Sequence, residues 1–420
     1  MTIPSSSAVS DYCIAALLRA HRSPQGQGWQ SAAPKAAIEE REELLLRWAL
    51  SDDVKAIATH VAERPRDIRS AIAFETQTYS GEIPGAVDAR ASLYEQELTG
   101  DPTLFVVSEP SVSPLTRRNH VLAWVLREAE SMILAAMRRH KLGPDQAWIH
   151  DRAGLIERAT RSRLLREVML SPSGRKRPGG AAVRDATKSL SPLYRMAADA
   201  LIAFEAIEVM DPTAVKNLLS STLVAKLEDW QQLELAAGLA VAEALAQASG
   251  QRLQWKGSIA GGSEIVEVGR YRVHWQHSLP KRPEHLLDPS EALIVSTAEA
   301  LKTSLGRARS DISVRDSESG LDIAHLECKW FGSPYSASSA IVDAISQLVR
   351  YCRDSRPAGI ASAEALLHDC VVVCSALSGY EARLDGESPV GLVDFIGLVG
   401  GGLGPWGQRL HHRAGLALAA

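Results

Sequence analysis

Apolar residues recur at helical spacing through the first 250 residues of the chain. The segment "SPLTRRNHVLAWVLREAESMILAAMRRHK" predicts one long amphipathic helix, and Ser113 or Thr116 is available to cap its start. One short extended piece, "TLFVVSE", interrupts the helical pattern. Four other segments predict further helices: "AAIEEREELLLRWAL", "LIERATRSRLLREVML", "SPLYRMAADALIAFEAIEVM" and "DPTAVKNLLSSTLVAKLEDWQQLELAAGLAVAEALAQA".

The period of the pattern changes after Gly250. From there, short apolar or alternating stretches are bounded by Gly, Ser, Pro and Asp, which is typical of strands. A helix from about residue 340 to residue 353 separates the last two stretches. The predicted strands lie in "RLQWKG", "EIVEVGRYRVHW", "SDISVRD", "LDIAHLECKW" and "CVVVCSAL".

These patterns divide the chain into three regions. Residues 1–35 are rich in Ser, Gly, Pro and Gln, and we expect them to be loosely ordered. Residues 36–215 predict a mainly helical region. Residues 216–420 predict an α/β domain that begins with the helix near residue 220. The expected fold class is therefore α+β, with a helical N-terminal region followed by an α/β core around a central mixed sheet.

Composition is ordinary for a soluble globular protein, with 45% hydrophobic and 23% charged residues. The start of the chain has no signal-peptide pattern, and no apolar run reaches the roughly eighteen residues that a membrane span needs. An odd number of cysteines without a CxxC pair indicates free thiols in a reducing cytosol, so we expect a cytoplasmic protein. The cysteines are Cys13, Cys328, Cys352, Cys370 and Cys374.

Positive charge is concentrated in one part of the chain. Residues 115–190 contain sixteen Lys and Arg against seven acids, although the whole chain has a net charge of -4. The densest patch is the loop "SPSGRKRPGG", with Arg175, Lys176 and Arg177. Two interpretations stay open: a solvated helical face with a flexible loop, or a surface that contacts phosphates.

Two predicted strands place acids where they could meet. Side chains two residues apart share a strand face, so Glu327 and Lys329 point the same way in "LDIAHLECKW". Pairing with "SDISVRD" would bring Asp311 within a few ångströms of Glu327. Two carboxylates that close repel each other unless a cation lies between them. Mg²⁺ is the natural occupant, and Mn²⁺ could substitute for it.

Lys329 would complete such a site, because an ammonium group beside the cation stabilises charge that develops on a phosphate. The combination suits hydrolysis of a phosphodiester. The alternative is a surface pair of strands with an exposed salt bridge. Asp316 would replace Asp311 as the first acid if the register differed, and Asp322 and His325 are expected to be structural.

The pattern Asp-x(n)-Glu-x-Lys on two strands resembles the PD-(D/E)XK nuclease superfamily. The helix that follows contains "QLVRY", and its Gln347 and Tyr351 resemble the QxxxY element of RecB-like members. The resemblance implies a restriction-endonuclease-like core in which Asp311 and Glu327 hold the metal. It also implies that the residue at Cys328 contributes only its backbone carbonyl, and that Glu228 supplies an upstream acid from a helix.

A narrower resemblance runs in order from residue 113 to residue 377. The segment "KLEDWQQLELAAGLAVAEAL" is similar to the "YExWxxxxL" helix of McrC-type restriction nucleases, and "SPLTRRNHVLAWVLREAESM" looks like their Asn-containing helix. This chain differs in two places. Ser310 stands where the family has Pro, and "LEDW" replaces "YExW", which weakens the assignment of Glu228.

The resemblance implies a Mg²⁺-dependent DNA endonuclease of a restriction or antiviral defence system. Relatives of this type work with a separate ATPase or GTPase motor, and this sequence contains no GxxxxGK[ST] phosphate loop. The helical region 36–215 would then bind DNA or a partner, with Arg175, Lys176 and Arg177 as candidate DNA contacts. A homodimer is compatible with these features, and no membrane partner is expected.

Two alternatives from other classes stay open. One is a catalytically inactive adaptor, or DNA-binding subunit of a defence complex, that keeps a nuclease fold without binding metal. The other is a helical interaction protein in which the C-terminal sheet is only a scaffold. Metal-dependent DNA cleavage that requires Asp311 and Lys329 would separate the nuclease from both.

Overall fold

The computed structural model describes residues 4–21, 34–81, 83–139, 147–224, 227–256, 263–280, 287, 289–301, 308–331, 337–356, 360–377 and 379–419. The chain divides into two compact units. One consists of Met1–Leu44 with Met210–Ala420, and the other of Leu45–Val209.

The helices and strands follow one another in chain order. The helices are α1 Ser6–His21, α2 Pro34–Ala49, α3 Asp52–Glu63, α4 Ala89–Thr99, α5 Arg117–Arg139, α6 Ala147–Thr160, α7 Arg163–Leu170, α8 Gly180–Thr187, α9 Pro192–Glu208, α10 Pro212–Thr222, α11 Asp229–Ser249, α12 Pro289–Ala300, α13 Ala337–Ser355, α14 Ile360–Leu367, α15 Phe395–Val399 and α16 Gly404–Ala419. The strands are β1 Ala71–Ser80, β2 Ala86–Val87, β3 Leu104–Ser113, β4 Leu253–Trp255, β5 Glu264–Val268, β6 Tyr271–Ser278, β7 Arg309–Asp316, β8 Asp322–Lys329, β9 Val371–Cys374 and β10 Gly391–Asp394.

The unit Leu45–Val209 combines helices with a three-stranded sheet in the order β1-β3-β2. The sequence pattern predicted only the strand in "TLFVVSE", so β1 and β2 were missed. As predicted, Thr116 caps the long helix α5, because its Oγ1 accepts the backbone N–H of Asn119 at 3.1 Å. The buried Asn119 side chain also donates to the carbonyls of Arg69 and Pro114, both at 2.8 Å. It therefore joins α5 to the segments that flank β1 and β3.

The other unit is built on a seven-stranded sheet in the order β10-β9-β8-β7-β6-β5-β4. The pairs β10/β9 and β9/β8 are parallel and the other neighbours are antiparallel, so the sheet is mixed as predicted. Helix α11 packs so closely on one face that a Cβ at Gly238 would lie 3.0 Å from Ile312 Cδ1. Helix α13 covers the opposite face, where Leu348 and Val372 belong to one buried cluster.

The start of the chain differs from the expectation. Residues 6–21, predicted to be loosely ordered, form helix α1 with Val9, Cys13 and Leu17 fully buried. Ser6 Oγ donates to Asp229 at 2.7 Å at the start of α11. The order of this segment therefore depends on a contact with residues more than 200 positions away, which no local pattern indicates.

The helical N-terminal region and the mixed sheet confirm the predicted α+β class. All five cysteines are free and buried, as expected. Within the residues that the structure describes, we find no helix with both the length and the apolar content needed to cross a bilayer.

Candidate active site

The first feature of the site is a row of residues across neighbouring strands. Strands β7 and β8 pair through Ile312↔Leu326, so the next position places Asp311 opposite Glu327. Asp311 Oδ2 accepts the backbone N–H of Cys328 at 2.8 Å, which holds this carboxylate against β8. The structure thus brings together the two acids on which the sequence interpretation depends.

A third carboxylate approaches from helix α11, and it belongs to Glu234. This side chain is 3% exposed and lies close enough to Asp311 for the two carboxyl groups to interact. The predicted upstream acid, Glu228, is instead the exposed N-cap of α11, in a capping box with Gln231. The structure therefore places Glu234, six residues after Glu228 on the same helix, beside the pair of acids instead of Glu228. A local signal existed, because Glu234 is a single acid within an otherwise apolar run.

Burial and mutual repulsion disfavour the charged forms of these carboxyl groups. Desolvation, with the nearby charge of Asp311, raises the pKa of Glu327 to about 8. The same two causes raise the pKa of Glu234 to about 7. Burial also raises the pKa of Asp311. Three acids in contact need shared protons or a cation to offset their charge.

One carboxylate oxygen of the cluster has no partner. Glu327 Oε1 lies 3.0 Å from Lys329 Nζ, but Glu327 Oε2 is buried without a hydrogen bond. A buried acceptor left unpaired is costly, so such atoms are rare in native proteins. A cation is one group that this acceptor could bind, because the carboxyl group of Asp311 lies across from Glu327 and would share it.

Lys329 is the cation that the structure supplies. Its Nζ lies 2.6 Å from Asp343 Oδ2 and 3.2 Å from Gln347 Oε1, in addition to its contact with Glu327. Burial works against the charged form, but the hydrogen bond with Asp343 and the field of Glu327 outweigh it and raise the pKa of Lys329. The side chain is therefore held as an ammonium group.

Helix α13 lines the site with three polar side chains spaced four residues apart: Asp343, Gln347 and Tyr351. Gln347 donates to Asp343 at 3.0 Å, and the Tyr351 hydroxyl donates to Gln347 at 3.4 Å. Of the two predicted residues of "QLVRY", Gln347 thus contacts Lys329, and Tyr351 contacts Gln347. Sequence reasoning missed Asp343, although its spacing of four from Gln347 places it on the same helical face.

Three other polar residues of these strands have structural roles. Asp316 binds Arg270 through two hydrogen bonds of 2.5 and 2.6 Å, so it is not the first acid of the site. Asp322 accepts from Arg315 at 2.9 Å. His325 is fully buried between the hydroxyls of Ser310 and Ser355, and burial lowers its pKa to about 4.

The basic loop lies in the unit Leu45–Val209 and the carboxylates in the other unit. Within that loop, the side chain of Arg177 contacts residues of the same unit. Its guanidinium stacks over Trp124 and Phe204 at 5.3 and 5.1 Å, and it pairs with Glu208 at 2.7 Å. Arg175 and Lys176 are exposed. Of the three predicted DNA contacts, Arg177 therefore has a structural function in this fold.

The donor set fits a hard divalent cation, although it is not a complete cage. Among the residues that the structure describes, no group of three or more His, Cys, Asp or Glu is already arranged to hold a metal. Mg²⁺ commonly takes only one or two protein carboxylates and completes its shell with water and phosphate. The unpaired Glu327 oxygen opposite Asp311 meets that requirement.

Comparison with known proteins adds little to this geometry. No protein-family model matches the chain, and no curated protein matches it significantly. Among solved structures, it is similar to a chain of the refined half-complex from the tetradecameric assembly of Thermococcus gammatolerans McrB AAA+ hexamers with bound McrC. That similarity covers 98% of this chain and 78% of that chain, at 10% identity and a TM-score of 0.25. A likeness this weak decides neither fold nor function.

Proposed function

We propose that the protein is a metal-dependent endonuclease that hydrolyses phosphodiester bonds of DNA. The observation that carries the proposal is a pair of acids, the partly buried Asp311 and the buried Glu327, opposite each other on β7 and β8 with the Lys329 ammonium beside Glu327. The unpaired Glu327 Oε2 supports a cation at this position. Charged groups are not buried together without compensation, and a bound cation would let these acids be ionised at neutral pH.

Mg²⁺, or Mn²⁺ in its place, would be held by Asp311, Glu327 and the backbone carbonyl of Cys328, with Glu234 replacing Glu228 as the acid from the helix. When bound, the cation would polarise a phosphoryl oxygen and activate a nucleophile. Glu234 belongs to no sequence motif of the site, and its contact with Asp311 is what supports its inclusion.

The remaining chemistry belongs to side chains of this chain. The Lys329 ammonium would stabilise negative charge that develops on the phosphate during hydrolysis. Gln347 Oε1 accepts from Lys329 Nζ at 3.2 Å and from the Tyr351 hydroxyl at 3.4 Å, so these two residues orient the ammonium. The ion pair with Asp343 further restricts the movement of the Lys329 ammonium group.

The biological setting that we propose is a restriction or antiviral defence system in which a separate ATPase or GTPase subunit drives the nuclease. This part of the proposal depends on the sequence resemblance to McrC-type nucleases over residues 113–377. It is consistent with the lack of a GxxxxGK[ST] loop in the sequence. A cytoplasmic location follows from the same setting.

Plasmid cleavage tests the activity. The full chain should convert supercoiled DNA in Mg²⁺ or Mn²⁺ but not in EDTA, and Asp311→Asn or Lys329→Ala should lower the rate by at least about a hundredfold. The matched control is Glu228→Gln, which removes an exposed acid of the same helix as Glu234 and should leave cleavage unchanged. Thermal unfolding of each variant checks that the fold is intact.

The inactive adaptor is the second candidate, because the described residues contain no ready-made cage for a metal. Isothermal titration with Mn²⁺ separates the two. Binding that Asp311→Asn abolishes supports the nuclease. A folded wild-type protein that neither binds Mn²⁺ nor cuts DNA, with or without an NTPase partner, supports the adaptor.

A further inference from the structure

Gln276 adopts a backbone conformation that strands do not normally contain. Its φ is 51°, and the other described non-glycine residue with positive φ, Met210, lies in the turn after α9. A left-handed backbone is unfavourable for a residue with a side chain. Gln276 lies in β6 between the paired positions Trp275↔Ile312 and His277↔Ser310, without a register shift. An unfavourable conformation kept in a regular strand indicates a local function.

Gln276 lies level with Asp311 and Glu327 on the neighbouring strands. The register of β6 and β7 places Gln276 opposite Asp311, and the register of β7 and β8 places Asp311 opposite Glu327. The left-handed conformation therefore occurs at the position of β6 that lies opposite Asp311.

The side chains of Trp275 and Gln276 converge on a single atom. Trp275 Nε1 donates to Glu234 Oε2 at 2.7 Å, and Gln276 Nε2 donates to the same oxygen at 2.9 Å. In a regular strand, successive side chains point to opposite faces of the sheet. The left-handed backbone at Gln276 turns its amide to the side on which Trp275 already reaches Glu234.

Two donors on one oxygen fix the plane of a carboxylate. They leave Glu234 Oε1 as the oxygen available to Asp311 and to a cation. We propose that Trp275 and Gln276 are positioning residues that orient Glu234 toward the metal, and that the strain at Gln276 is retained for this purpose. The inference rests on the proposed function, since it concerns the same cation.

Two variants remove the donors in different ways. Gln276→Gly deletes the amide and removes the left-handed strain, whereas Trp275→Phe deletes only the indole N–H. We expect each to weaken Mn²⁺ binding about ten- to a hundredfold, as is usual for residues that orient metal ligands. In EDTA, Gln276→Gly should unfold at the wild-type temperature or above it, because glycine accepts a positive φ. A merely structural residue would lose stability together with affinity.

Met210→Gly is the matched control, because it places glycine at the other positive φ, away from the carboxylates. It should bind Mn²⁺ like the wild type. The measurements are the Mn²⁺ dissociation constant by calorimetry and the unfolding temperature in EDTA, both on the full chain. Wild-type affinity in Gln276→Gly and Trp275→Phe would overturn the inference but leave the metal site standing. A wild-type protein that binds no Mn²⁺ would overturn both.

Discussion

Asp311 and Asp316 lie on the same strand, and their surroundings give them opposite properties. Asp311 faces two other acids, and burial raises its pKa. Burial also acts on Asp316, but its hydrogen bonds with Arg270 outweigh that effect and lower its pKa to about 2. A cation would be needed beside Asp311, whereas Arg270 already supplies one beside Asp316.

The Asp316 pair gives a pH dependence of stability. A carboxyl group whose pKa is lower in the folded state stabilises the fold above its unfolded pKa, and the effect is lost as the pH falls toward its folded pKa. Asp316→Asn should therefore lower the free energy of unfolding by about 2 kcal/mol at pH 7. About half of that difference should remain at pH 3. Urea unfolding at both pH values measures it.

The control is Glu318→Gln, since Glu318 also pairs with Arg270 at 3.0 Å but is 53% exposed. An exposed pair contributes little, so we expect a change of less than about 1 kcal/mol. Asp316→Asn should also keep the Mn²⁺ affinity of the wild type. Loss of metal binding in Asp316→Asn would mean that Asp316, and not Asp311, is the first acid of the site.

At the scale of elements, the site depends on how closely helix α11 is held. Helix α16 packs against it at Gly407, where an added Cβ would lie 2.9 Å from the carbonyl oxygen of Ala244. Backbone atoms cannot move aside as a side chain can, so this contact needs glycine. Gly415, on the same helix, has no described atom within 4 Å of an added Cβ.

The two glycines of α16 should therefore respond in opposite directions to the same substitution. Gly407→Ala should destabilise the fold by about 1–3 kcal/mol, because it overpacks the contact with α11. Gly415→Ala should stabilise it by up to about 1 kcal/mol through helix propensity. Thermal or urea unfolding of the two variants measures both changes. Equal shifts of the same sign would show that α16 does not pack on α11 in this way.

Elements with a buried face were predictable from the sequence, and elements that depend on distant contacts were not. Strand β8 alternates because one side meets the core and the other carries Glu327 and Lys329. Strand β1 exposes Ile72 and Phe74 by 70% each, and it exists through pairing with β3 more than twenty residues away. Its apolar residues therefore do not mark a buried face.

In the candidate site too, residues in local motifs were predictable from the sequence and residues placed by distant contacts were not. Asp311, Glu327, Lys329, Gln347 and Tyr351 could be proposed from the sequence because each lies in a short motif. Glu234 was missed because its contact with Asp311 spans 77 positions of sequence, while a motif-like phrase pointed to Glu228. The φ of Gln276 has no sequence signal, since glutamine rarely adopts a left-handed backbone.

At the scale of the whole molecule, positive charge and carboxylates belong to different units. Residues 115–190, with sixteen Lys and Arg, lie in the unit Leu45–Val209, whereas the acids lie in the unit that includes Met210–Ala420. We propose that the basic stretch contributes DNA affinity and the acids contribute cleavage. The two properties should then be separable by mutation. Arg177 is excluded from such a test, because its stacking on Trp124 would confuse binding with stability.

The exposed residues Arg175 and Lys176 allow the separation to be measured. In a Lys329→Ala background, which should not cut DNA, the double variant Arg175→Glu/Lys176→Glu should bind DNA more weakly. The slope of its salt dependence should fall by about one unit for each phosphate that the loop no longer neutralises. Its Mn²⁺ affinity should be unchanged.

The matched control, Lys216→Glu/Arg383→Glu, reverses two exposed positive charges in the other unit. Both double variants change the net charge equally, so total charge alone would weaken DNA binding by the same factor in each. A reduction in DNA affinity confined to Arg175→Glu/Lys176→Glu assigns the effect to the loop, because only position then distinguishes the two variants.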